Sequence, residues 1–121
     1  MQKTHFRKAF AEVRAREEAR GRRLNTDALI DLTVTTTQPP DFGVEYDTAV
    51  VMVGRLRRER PSVEGEKRPR RLFWLEMLRR VEDLMAPPRQ LRLCEAVQKV
   101  LAYQRPSRWY VSHAAARRWI Q

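Results

Sequence analysis

The stretch Arg105-Pro106-Ser107-Arg108-Trp109-Tyr110-Val111-Ser112-His113-Ala114-Ala115-Ala116-Arg117-Arg118-Trp119-Ile120-Gln121 decides how the chain folds. Pro106 breaks whatever precedes it, Trp109, Tyr110 and Val111 read as extended, and Ser112 caps a last helix that carries Arg117 and Arg118. The same grammar stands earlier in Pro39-Pro40-Asp41-Phe42-Gly43-Val44-Glu45-Tyr46-Asp47-Thr48-Ala49-Val50-Val51-Met52-Val53. A shift of 67 positions lays one span on the other, pairing Pro39 with Pro106, Phe42 with Trp109, Val44 with Val111, Ala49 with Ala116, Met52 with Trp119 and Val53 with Ile120. Shared punctuation with shared apolar positions predicts a duplicated unit, although helix–proline–helix segments also resemble one another because the punctuation rules are few.

Outward from these spans the chain reads as helices. Residues 2–20 predict an amphipathic helix on Phe6, Ala9, Phe10 and Val13, stopped at Gly21. Asn25, Thr26 and Asp27 offer caps for the next segment, Ala28 to Thr37. Its β-branched tail suits a strand, but its counterpart 67 positions on, Glu95 to Tyr103, is plainly helical, so it is read as a helix fraying at Thr35. Tyr46, Ala49, Val50, Val53 and Leu56 mark a helix ending near Arg60, and residues 61–71 read as an exposed basic connector broken by Pro61, Gly65 and Pro69. Leu72 to Ala86 follows, on Trp74, Met77, Leu78, Val81, Leu84 and Met85. Pro87-Pro88 makes a turn into a helix over 89–103, on Leu91, Cys94, Val97 and Leu101. A shift of 68 lays Phe6 on Trp74 and Phe10 on Leu78, with the one-residue offset absorbed in a turn. The expected architecture is all-α: one small domain, 1–121, in two helix–helix–loop–helix halves, 1–60 and 69–121. Neither half is large enough to bury its own faces, so the two are expected to share a core around Phe10, Leu32, Val53, Leu78, Val97 and Leu101.

The formal net charge is +10, and 21 of the 25 basic residues are arginine. A basic balance favours polyanionic partners, and the guanidinium fork suits phosphate. A GC-rich genome would also write arginine for lysine, so the net charge carries more weight than the choice of arginine. That charge is unevenly placed: residues 1–23 carry +5, residues 24–53 carry −5 with no basic residue, and residues 54–71 carry +5. The expected function is nucleic-acid binding, DNA or RNA, through phosphates with little base reading. It would use Arg57, Arg58, Lys67, Arg68, Arg70, Arg71, Arg105, Arg108, Arg117 and Arg118, with Tyr110 as a surface ring for stacking. Trp109 and Trp119 are read as core. The alternative is an assembly or protein-interaction subunit, a homo-oligomer or one with an acidic partner, in which segment 24–53 meets a basic surface.

Other chemistries have little support in the sequence. The lone Cys94 makes no internal disulfide, and His5 and His113 have no second metal ligand at helical spacing. Ser112 and His113 are adjacent rather than convergent, with no acid near His113 in sequence, while Glu17-Glu18 and Glu82-Asp83 read as ordinary i,i+4 ion pairs on helix faces. The four glycines are isolated, so no phosphate loop is present. No enzyme activity, cofactor or metal is expected. No apolar run is long enough for a membrane span, and the default compartment is the cytoplasm.

Overall fold

Side chains cap two of the helix starts, and turns close several of the helix ends. In a computed structural model that describes residues 2–121, α1 spans Gln2–Ala19 and buries the stripe Phe6, Phe10, Val13 and Glu17. It closes with Arg22 N–H donating to the Glu17 carbonyl and Gly21 N–H to that of Glu18, both at 2.9 Å. Gly21 sits at φ 76°, the left-handed conformation this closure requires and glycine adopts without strain.

The second helix, α2 (Thr26–Thr36), is capped by Asn25, whose Oδ1 accepts from Ala28 N–H at 2.8 Å. It does not fray at Thr35. The hydroxyls of Thr33, Thr35, Thr36 and Thr37 each donate to the carbonyl four residues back, at 2.6–2.9 Å, so this run joins the helical ladder instead of leaving it.

The remaining helices are α3 (Tyr46–Glu59), α4 (Pro69–Met85), α5 (Leu93–Tyr103) and α6 (His113–Trp119), and among the described residues there is no strand. Two starts differ from expectation. Pro69, read as a breaker, is the first residue of α4, where its missing N–H costs nothing and its fixed φ suits a helix, so Arg70 and Arg71 lie in a first turn and not in a loop. The fifth helix begins at Leu93 rather than 89, because Gln90 takes φ 50° and Leu91 N–H returns to the Leu84 carbonyl at 3.0 Å, closing a turn.

The halves correspond at the level of the backbone. A shift of 67 carries Thr26–Thr36 onto Leu93–Tyr103, the C-caps Thr37 onto Gln104, and the N-caps Glu45 onto Ser112. It also carries the start of α1 onto the start of α4, so no one-residue offset is needed. A broad apolar helix face reads equally well in either register, and ring pairing distinguishes them. Phe6 meets Trp109 edge-on at 5.2 Å, and Phe73 meets Phe42 at 5.6 Å, which are the same two positions 67 apart.

Those ring pairs also show that the third helices are exchanged. One compact unit runs to Pro40 and resumes at Ser107–Gln121, and the other is Asp41–Pro106. In the first, α6 of the second half packs on α1 and α2 of the first half. Its core is Phe6, Phe10, Val13, Leu29, Ile30, Trp109 and Ala116, flanked by half-buried Leu24, Leu32, Val111, Trp119 and Ile120. In the second, α3 of the first half packs on α4 and α5, where Phe42, Ala49, Val53, Leu56, Phe73, Met77, Val97 and Val100 are buried. Of the six expected core residues, Phe10, Val53, Leu78 and Val97 are buried, while Leu32 and Leu101 are only half-buried.

Candidate nucleic-acid interface

Seven of the expected site residues, Arg57, Arg58, Lys67, Arg68, Arg70, Arg71 and Arg105, belong to the Asp41–Pro106 unit. Arg57 and Arg58 occupy the last turn of α3, a favourable end for cations. Arg57 leans on Glu82 of α4 at 3.7 Å, whereas Arg58 has no ion-pair partner among the described residues. Arg68 is committed: its guanidinium grips Glu66 through two oxygens at 2.8 and 2.9 Å, and its backbone N–H donates to the same carboxylate at 3.0 Å. Those bonds hold the Glu66 carboxyl down to about 2, with Arg71 adding to the effect, and in return raise Arg68.

The α4 N-terminus itself carries an electrostatic conflict. Its N-cap, Arg68, makes no side-chain cap bond, and its first turn contains no acid but has Arg70 and Arg71. Cations at the positive end of a helix dipole are destabilising, by about 0.3–1 kcal/mol each near a surface. Lys67 and Arg70 are exposed and make no ion pair among the described residues.

Arg108, Tyr110, Arg117 and Arg118 belong to the other unit. Arg108 lies over the Tyr110 ring at 5.1 Å and donates to the Trp109 carbonyl at 3.4 Å, so this arginine and ring form a stacked pair. Tyr110 is half-buried, less open than a free stacking ring. Trp109 is fully buried and Trp119 half-buried against Phe6, as expected for core.

Arg117 is engaged within the chain. Its guanidinium is bonded to Asp27 on α2, and His113 stands between the same helix's acids, with Nε2 3.1 Å from Asp27 and Nδ1 3.4 Å from Asp31. The Arg117 bond first, then the His113 bond, lowers the Asp27 pKa. The acids His113 lacks in sequence therefore reach it through the packing of α6 on α2. Arg118 remains exposed, without an ion pair among the described residues.

Two features escape the sequence-derived site. Lys3, Arg7 and Arg14, spaced to share one side of α1, are exposed without ion pairs among the described residues, and Arg14 stacks over Phe10 at 5.8 Å. The +5 charge of residues 1–23 was a signal for this face. Glu17, read as a surface ion-pair residue, is instead 2% exposed at the end of α1, because the heptad stripe turns it inward beneath Arg16, Arg20 and Arg22.

Among the described residues, no helix is long and apolar enough to cross a membrane. Comparison of the chain with protein-family models, with curated proteins and with solved structures gave no match.

Proposed function

We propose that the chain binds nucleic acid through its phosphates. The observation that carries this reading is the α4 N-terminus. There an uncapped 17-residue helix end, with free donor N–H groups, is surrounded by Lys67, Arg70 and Arg71 where helix stability alone would favour acids. A phosphate placed there accepts from the open N–H groups, complements the dipole and neutralises the arginines. The α1 cations Lys3, Arg7 and Arg14 and the exposed Arg118 offer further phosphate contacts in the other unit.

Substituting Arg70→Glu and Arg71→Glu tests the reading from two sides. Titrations of random-sequence DNA and RNA, single- and double-stranded, should show affinity falling steeply with salt. The slope should lessen by about 0.7–0.9 for each phosphate contact removed by the double substitution. Failure to bind any of these polymers at low salt sinks the proposal.

The assembly reading retains less of its acidic surface, since Asp27 and Asp31 are engaged by α6. Asp41, Glu45 and Asp47, beside half-exposed Tyr46 and exposed Val51, are what it has left. A salt-sensitive increase in mass of the nucleic-acid-free chain would favour it.

A further inference from the structure

Where α1 turns into α2 there is a cleft of about 680 Å³ lined by Arg14, Glu17, Arg22, Arg23, Leu24 and Leu29. Glu17 is the unusual member. Its carboxylate is almost wholly buried, and Oε2 accepts no hydrogen bond. Arg22 Nη1 stands 3.4 Å from Oε2, in ion-pair range but unaligned for a bond, and Arg16 and Arg20 each stand 3.9 Å from Oε1. These arginine side chains are 46–63% exposed, so they cover the carboxylate loosely. A buried carboxylate oxygen without an N–H donor is costly, and an occupant that supplies one is favoured.

We propose that this cleft seats one unpaired nucleotide of a bound strand, its phosphate on Arg22 and Arg23 and its base edge on Glu17, with guanine preferred. The inference rests on the nucleic-acid reading and adds a base preference to it. The ring of arginines repels an ammonium or guanidinium donor and attracts a ligand that carries both an N–H donor and a negative charge, as a nucleotide does. Among the bases only guanine offers two adjacent N–H groups, N1–H and N2–H, that match the two oxygens of one carboxylate. Adenine and cytosine each offer one amine, and uracil one imide N–H. Phosphate draws Arg22 outward and opens Oε2 to the base, while Leu24 and Leu29 supply an apolar wall for the ring.

The equivalent turn of the second half makes the contrast. Between α4 and α5 a cleft of about 720 Å³ is lined by Leu84, Pro88 and Arg89 at the positions of Glu17, Gly21 and Arg22. Leucine replaces the carboxylate, so this cleft keeps a phosphate-binding arginine but no acceptor for a base edge.

The test is fluorescence anisotropy of the full chain with labelled hexauridine whose third residue is replaced in turn by guanosine, inosine and adenosine, at fixed low salt. Guanosine should bind at least about tenfold tighter than adenosine, the scale of a bidentate base contact. Inosine, which lacks the N2 amine, should lose most of that gain. Glu17→Gln should abolish the preference for guanosine over adenosine. If that variant does not fold, the comparison of guanosine, inosine and adenosine on the native chain decides alone. Equal affinity for the three, or an undiminished preference in folded Glu17→Gln, overturns the cleft assignment and leaves phosphate binding standing. Absence of binding to any oligomer removes both readings.

Discussion

Trp109 buries its whole ring beside Phe6 and still satisfies its indole N–H, which donates to the Thr37 hydroxyl at 2.9 Å. Thr37→Val keeps the shape and removes the acceptor, so it should cost about 1–3 kcal/mol, the penalty of an orphaned buried donor. Chemical denaturation of Thr37→Val and Thr37→Ser measures this, and only the serine variant should retain wild-type stability. Glu66 gives a second check at this scale. Its carboxyl is lowered from 4.5 to about 2 by Arg68, so the pair's stabilisation is complete above pH 4.5 and fades as pH falls toward 2. Carbon NMR should find the Glu66 midpoint near 2, returning toward 4.5 in Arg68→Met. The sequence reveals Trp109 as core through its match to Phe42, but not the Thr37 acceptor, since one hydroxyl at a helix end has no periodic signature. The acids facing His113 were equally hidden: Asp27 lies 86 positions away, and only folding brings them together.

At the level of elements, most helices are legible because apolar spacing, caps and prolines agree. The misread features are those where two local rules compete. In α2 β-branched composition argues against a helix that threonine back-bonding then secures. At Pro69 one residue type both ends and begins helices, and the neighbouring side chains do not say which. The consequence at α4 is measurable. Arg70→Glu should raise thermal stability, by about 0.3–1 kcal/mol for the corrected charge, while Arg70→Glu with Arg71→Glu weakens nucleic-acid affinity. A stability decrease in Arg70→Glu would contradict the dipole argument. The basic face of α1 shows a different limit: charge totals locate a basic segment, but burial decides which of its side chains remain unpaired.

For the whole molecule, the correspondence of the spans 39–53 and 106–120 is readable in the sequence, whereas the destination of each third helix is not. The α3 seat against α4–α5 and the α6 seat against α1–α2 are built from equivalent positions, so local pattern cannot tell an exchanged helix from a retained one. Exchange makes each unit depend on both halves of the chain. A protease site placed at Glu64–Gly65, in the exposed α3–α4 connector, should therefore give two fragments that co-elute in native buffer and part only in denaturant. Separation of the nicked fragments without denaturant would show that the exchanged helices do not hold them.

The exchange also sets an order of events during synthesis. The Asp41–Pro106 unit is continuous in sequence, so it is free to fold once α5 has left the ribosome. The other unit is interrupted by all of it: α1 and α2 are made first and must wait, apolar stripes uncovered, until α6 emerges to seat Trp109 on Phe6. Of the six helices, the two made earliest are thus completed last, with α1 keeping a largely charged surface outside its apolar stripe through that interval.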